Sequence, residues 1–221
     1  MVNLDRVTII SVTGVDPQDS LWALEHSCKD IKFAAAKLIT PHDIKSNKGV
    51  EIIKSGPIDY IEYSRFLVYD LWKYIDSEFV LIIQSDGFVV NPYHWTDEFY
   101  NYDYIGAPWP NPTDDFSYRD EKGNVRSVGN GGFSLRSKKL CEAPTKLEIP
   151  WKSYFGFYNE DGFFCVHHRC LFESLGFNYA PKEIAWKFSQ EVPMDDLDFE
   201  MPFGFHGKNH YYYNYYKNKK I

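Results

Sequence analysis

The stretch from Phe79 to Pro92, FVLIIQSDGFVVNP, constrains the fold more than any other part of the chain. Phe79 to Ile83 is an unbroken apolar run that stops abruptly at Gln84-Ser85-Asp86-Gly87, and a second apolar pulse, Phe88 to Val90, follows. A half-exposed strand alternates apolar and polar residues. A continuous run of this length predicts a strand buried on both faces, as in the middle of an α/β sheet. Ligands in open α/β sheets sit beyond the carboxyl ends of such strands. Asp86 is therefore in position to meet a ligand, a metal or both. Asp-Gly is also a strong turn signal, so a plain turn between two strands is the competing reading.

The flanking sequence supports an α/β plan. Arg6 to Val12 is a β-branched run and predicts the first strand, followed by the loop Thr13-Gly14-Val15-Asp16-Pro17. Ser20 opens a helical pattern with Leu21, Leu24, Cys28 and Ile31 on one face. Phe33 to Ile39 predicts a second strand, Val50 to Tyr60 reads as irregular, and Tyr63 to Ile75 has helical spacing. Strand, helix, strand, loop, helix, strand is the order of a parallel sheet with right-handed crossovers. Beyond this, Pro108 to Gly132 is rich in Pro, Asn, Gly and Asp and predicts a long loop, a feature usually functional or mobile in compact domains. Gly132 to Arg136 predicts a short strand, and Asp161 to Leu175 a helix ended by Gly176. Phe177 to Ala180 and Ala185 to Phe188 read as short strands.

Bulk properties bound the function. The 221 residues suit one sizeable domain with a substantial core, and no repeat or clean linker divides them. Aromatic residues reach 18%, which suits pockets that stack flat rings or sugar faces as well as thick cores. The net charge of −7 argues against nucleic acid as a partner. An acidic protein that binds anionic nucleotides needs local cations or a metal. Cys28, Cys141, Cys165 and Cys170 have no CxxC spacing and read as thiols in a reducing compartment. No signal peptide or membrane-length apolar run is visible, so the expected location is the cytoplasm.

Four polar constellations stand against this background. Gln84-Ser85-Asp86 is the first. Val128 to Ser134, VGNGGFS, is the second, and its glycines let the backbone pass close to a ligand and present N–H groups; a flexible hairpin is the alternative. Asn159-Glu160-Asp161-Gly162 is the third. Its acids suit the first turn of a helix capped by Asn159, or one of them is a general base for a sugar hydroxyl. Trp151, Tyr154, Phe155, Phe157 and Tyr158 around it favour a sugar cleft. The fourth is Pro202 to Lys208, PFGFHGK. His206 there suits a Mn²⁺ site completed by a carboxylate and phosphate oxygens, and Lys208 suits a phosphate, although a lone His is more often a core or surface residue.

Taken in order, FVLIIQSDGFVVNP, YDYIGAPWP, VGNGGFSLRS, NEDGFF and PFGFHG resemble a family of glycosyltransferases catalogued as a domain of unknown function, DUF5672. The resemblance runs from about Ile9 to His210. The family is similar to nucleotide-sugar-dependent glycosyltransferases of the GT-A fold. It implies an α/β/α sandwich with a mixed, mainly parallel central sheet. Residues 1–107 would bind the nucleotide sugar, 108–210 the acceptor, and 211–221 would form a tail. QSD stands where GT-A enzymes carry DxD, so Asp86 inherits the divalent-cation ligand (Mn²⁺ or Mg²⁺), while Gln84 departs from the expected acid and keeps only the capacity to hydrogen-bond a ribose. His206 resembles the C-terminal metal-binding His, with Lys208 on phosphate. Asn130, Gly131 and Gly132 resemble the small-residue loop against donor sugar and acceptor. Glu160 and Asp161 resemble the acidic pair of inverting enzymes, with Asp161 the favoured base. Thr13, His42 and Ser85 join the candidate donor contacts, and Trp109 of YDYIGAPWP the substrate contacts.

The implied activity is inverting transfer from a nucleotide-diphosphate sugar, UDP by default, to a glycan or glycolipid hydroxyl, as in polysaccharide biosynthesis. A non-catalytic carbohydrate-binding or scaffold module on a degenerate GT-A fold is the main rival, motivated by Gln84. A nucleotidyltransferase ranks lower, because Thr13 to Ser20 contains no Lys or Arg. The Tyr- and Lys-rich tail reads as a solvated tail, or as a peripheral contact with an anionic membrane.

Overall fold

The structure is a computed structural model that describes residues 1–151, 159–197 and 201–218. Its first half alternates strand and helix: β1 (Val2–Val12), α1 (Pro17–Ser27), β2 (Ile31–Thr40), β3 (Glu51–Lys54), α2 (Tyr60–Tyr69) and β4 (Phe79–Ile83). After β4 come β5 (Gly87–Val89), β6 (Tyr104–Gly106), β7 (Phe133–Ser137), α3 (Lys138–Lys146), α4 (Glu160–Gly162), α5 (Arg169–Ser174), α6 (Lys182–Phe188), β8 (Ser189–Gln190), β9 (Gly204–His206) and α7 (Tyr211–Asn218).

Six strands form the central sheet in the order β3-β2-β1-β4-β7-β6. β1 pairs in parallel with β2 and β4, β2 with β3 likewise, and only β7 runs against its neighbours. The two central strands, β1 and β4, are buried where they pair, and all five residues of β4 are buried. Their side chains alternate between faces, as strand geometry requires. Ile9, Leu81 and Ile83 pack with Leu21 and Leu24 of α1 on one face. Ile10, Val12, Val80 and Ile82 pack with Leu67 of α2 and Cys141 of α3 on the other. The result is helix, sheet, helix. A second sheet, β5-β9-β8, sits beyond the end of β4 and couples the QSD segment to the C-terminal His206. Gly87 pairs with His206, Phe88 with Phe205.

Several expected elements take another form. β3 occupies part of the stretch read as irregular, and pairs along one side only, with β2. α2 begins earlier than its apolar spacing suggested, because Asp59 caps it by accepting the Glu62 N–H at 2.8 Å. The expected helix from Asp161 to Leu175 is broken into α4, a π-helical turn over Phe163–His167, and α5. Gly176 does end it, at φ +88°, with the Phe177 N–H reaching the Phe172 carbonyl at 3.1 Å. Phe177 to Ala180 contributes a single parallel bridge, Tyr104 to Tyr179. Ala185 to Phe188 is helix α6 rather than a strand. Ala185, Trp186 and Phe188 are buried there, and so short an apolar cluster satisfies either periodicity.

Candidate active site

A cavity of about 540 Å³ opens beyond the carboxyl ends of the neighbouring parallel strands β1 and β4. Its walls come from the β1–α1 loop, the QSD turn, the glycine segment that leads into β7, the first turn of α2, the start of α4, and the residues at and after β9. Asp86 is a turn residue, as Asp-Gly suggested, and it also faces this cavity. The Gly87 N–H closes the turn on the Gln84 carbonyl at 3.1 Å.

At one end stand Asp86 and His206. Asp86 Oδ1 is 3.4 Å from His206 Nε2, and the Gln84 Oε1 lies 3.1 Å from the same nitrogen. The other ring nitrogen, Nδ1, is 3.0 Å from Glu191 Oε1. Glu191 is itself fixed, since Asn130 Nδ2 donates to its Oε2 at 2.7 Å. Burial disfavours a charged imidazole, but hydrogen bonds to Asp86 and Glu191 outweigh it and raise the His206 pKa to about 9. Burial likewise opposes ionisation of Asp86, and its hydrogen bond to His206 overcomes this and holds the carboxyl below its usual value. Once its Nε2 proton is lost, the His206 imidazole, oriented at Nδ1 by a second carboxylate, would offer a lone pair beside Asp86, a donor pair that fits a divalent cation. Among the described residues no group of three or more His, Cys, Asp or Glu is arranged to hold a metal.

At the other end stand Glu160 and Asp161. They differ sharply in environment. Glu160 Oε1 is 3.1 Å from Nη2 of Arg136, a fully buried side chain that lies over the rings of Tyr104 and Phe164. No cation of the described residues is in contact with Asp161. It accepts backbone N–H bonds from Gly162, at 2.7 Å, and from Gly131. Burial, reinforced by the charge of Glu160, raises its pKa to about 7. The two glycines between these ends make the proximity possible. A methyl group on Gly131 would fall 2.0 Å from Glu160 Oε1, and one on Gly132 would fall 2.1 Å from His206 Nε2.

Eleven of the thirteen site residues expected from sequence line this one cavity: Thr13, Gln84, Ser85, Asp86, Asn130, Gly131, Gly132, Glu160, Asp161, His206 and Lys208. Two do not. His42 sits behind the β1–α1 loop, its Nε2 2.8 Å from the Gly14 carbonyl. Trp109 is 7% exposed, stacks on Tyr118 and covers Gly129, so its ring supports the glycine segment from outside the cavity. Trp151 stacks on Phe163 beside a buried cluster, and the aromatics Tyr154, Phe155, Phe157 and Tyr158 lie outside the described residues. Sequence reasoning missed Asp16, Tyr60, Tyr63, Arg136 and Glu191. Asp16 and Arg136 carried a signal, an acid just past a strand end and a charge inside the buried run FSLRS. Glu191 carried none.

The layered sheet, with its cavity beyond β1 and β4, is a GT-A-like glycosyltransferase fold. A glycosyltransferase involved in glycosylation of the major capsid of PBCV-1 superposes with a TM-score of 0.51 at 14% identity, over 92% of this chain and 93% of that chain. The galactosyltransferase LgtC, in complex with donor and acceptor sugar analogues, gives a TM-score of 0.49 at 16% identity, over 90% and 86%. Residues 53–206 match the family described as "Protein of unknown function (DUF5672)", and the chain belongs to that family. No curated protein matches the sequence significantly. Among the described residues no helix is long and apolar enough to cross a membrane.

Proposed function

We propose that the protein is a glycosyltransferase that moves a sugar from a nucleotide-diphosphate sugar, a UDP-sugar first, to a glycan or glycolipid hydroxyl with inversion. One observation carries this reading: Asp161, whose carboxyl is raised by burial and by Glu160, lines the same cavity as the Asp86–His206 pair. A general base works best when its pKa lies near the working pH. Asp161 takes the proton of the acceptor hydroxyl as that oxygen attacks the anomeric carbon. The bond from that carbon to the diphosphate breaks on the opposite side, and its electron pair leaves with the diphosphate. Glu160 is the weaker candidate because Arg136 already neutralises it. Asp86 and His206, aligned by Glu191, would hold the divalent cation, and Lys208 adds positive charge beside them. Such a cation supplies electrostatic stabilisation to the departing diphosphate. The Gly131 and Gly132 backbone leaves room for the sugar between the two ends.

A panel of nucleotide sugars assayed with Mn²⁺ for nucleotide-diphosphate release tests this. Turnover of at least one donor, lost in Asp161→Asn, is expected. The neutral Gln84 favours one rival, a binding module without catalysis. Nucleotide binding with no turnover across the panel, with glycan acceptors added, would establish that rival instead.

A further inference from the structure

Among the described residues, the benzene rings on the cavity wall are those of Tyr60 and Tyr63, both from the first turn of α2. They are three positions apart, so they share one face of the helix. The Tyr63 hydroxyl accepts from Gln84 Nε2 at 2.7 Å, and no described residue accepts the hydroxyl's own proton. It keeps a donor for an oxygen that enters the cavity.

Tyr60 is held differently. It is 59% exposed, and it belongs to none of the buried clusters that form the core. Its hydroxyl donates to Asn159 Oδ1, and Asn159 directly precedes Glu160 and Asp161. A bond at the tip of the side chain therefore ties the ring to the Asp161 end of the cavity while leaving much of it open to solvent. Burial raises the pKa of the Tyr60 hydroxyl, and the charges of Asp161 and Glu160 add to this. With Asp59 next to it in the chain, the ring stands among acids, a field that disfavours an anionic ligand. A pyranose answers to all of these features. It has an apolar C–H face to lie on an aromatic ring, hydroxyls at its rim, and no charge.

We propose that Tyr60 is the stacking platform for the acceptor, and that the acceptor is an uncharged saccharide whose ring lies on Tyr60 with a hydroxyl reaching Asp161. This rests on the glycosyltransferase reading above. An acceptor that attacks from the side away from the diphosphate lies at the Asp161 end, where Tyr60 stands. The N-terminal half, expected from sequence to bind the nucleotide sugar, then also shapes the acceptor site.

The test is transfer from whichever nucleotide sugar turns over, to lactose, cellobiose and maltose. 3′-Sialyllactose serves as a charged saccharide and glycerol as a hydroxyl source without a ring face. Wild type is expected to use a neutral disaccharide in preference to both. Tyr60→Ala should raise the KM of that disaccharide about 3–10-fold, the worth of an aromatic face, with kcat and the donor KM moved by less than about twofold. Tyr60→Phe keeps the ring, loses the bond to Asn159, and should restore the acceptor KM. A structural Tyr60 would instead lower kcat in both variants, with glycerol as with the disaccharide, and leave the acceptor KM unmoved. That result overturns the proposal, as does a preference for the charged saccharide. Donor turnover that no saccharide accelerates overturns it while the transferase reading stands. If no donor turns over, the two fall together.

Discussion

Asp161→Asn should make the protein more stable and less active, and the gain in stability should depend on pH. The carboxyl has a pKa of about 7 in the fold against 3.8 for the free group. Between those values the native state holds a proton that the unfolded chain has lost. The unfolded state binds fewer protons there, so stability falls as pH rises through the window and levels off above about 7. The difference of about three pKa units corresponds to about 4 kcal/mol at the alkaline plateau. Water entering the cavity when Asp161 ionises makes this an upper figure. Asn is neutral at every pH and keeps an oxygen for the Gly162 N–H, which donates to Asp161 Oδ1 at 2.7 Å. The variant's advantage should therefore grow from about 1 kcal/mol near pH 4.5 to about 4 kcal/mol above roughly pH 8. For a chain of this size that is a rise in Tm of roughly 8–16 °C at the alkaline end. Thermal unfolding of both proteins in matched buffers across this range reads the effect directly. A general base also titrates in the rate. Transfer should climb as pH passes about 7 in wild type, and the Asp161→Asn variant should lose roughly 10²–10⁴-fold. A Tm difference that stays constant from acid to alkaline pH would refute the reasoning, because Asp161 would then not titrate near neutrality.

Glu191→Gln removes the charge that orients His206 Nδ1, and Mn²⁺ affinity measured by calorimetry without donor should fall about tenfold; unchanged affinity would remove Glu191 from the site. Gly132→Ala places a methyl group 2.1 Å from His206 Nε2, so nucleotide-diphosphate binding should be lost while the circular dichroism spectrum is retained. Arg136→Met leaves Glu160 as a buried, unpaired carboxylate and should cost about 3–5 kcal/mol in denaturant unfolding. Adding Glu160→Gln should restore much of that stability, and a double variant no better than Arg136→Met would mean that the ion pair is not the source.

The parts of the fold that could be read from sequence are those whose burial is complete on both sides. Phe79 to Ile83 coincides with β4 because five consecutive buried positions leave one interpretation. β3 was invisible because its four residues, EIIK, gain a ladder only from β2, and nothing local demands it. Ala185 to Phe188 misled because four residues of an aromatic-rich helix satisfy strand and helix patterns alike. Within the site, Asp86, Glu160, Asp161 and His206 stood out as polar breaks in apolar surroundings. Glu191 did not. Its role exists only because β8 lies beside β9 and so brings residue 191 to the ring of His206. Partnerships of that kind are set by topology, and Gln84 and His206 meet across 122 positions for the same reason.

Topology also changes the meaning of Gln84. In sequence it is a missing acid, an argument against both metal and catalysis. In the fold it closes a circuit: its amide spans Tyr63 and His206, while Glu191 and Asp86 hold the same imidazole from either side. The cavity wall already carries Asp16, Asp59, Asp86, Glu160 and Asp161 against His206 and Lys208, with Arg136 behind Glu160. On the proposed reading, a further carboxylate at position 84 would add repulsion against the donor's anionic diphosphate. A neutral amide there orients the histidine without that cost.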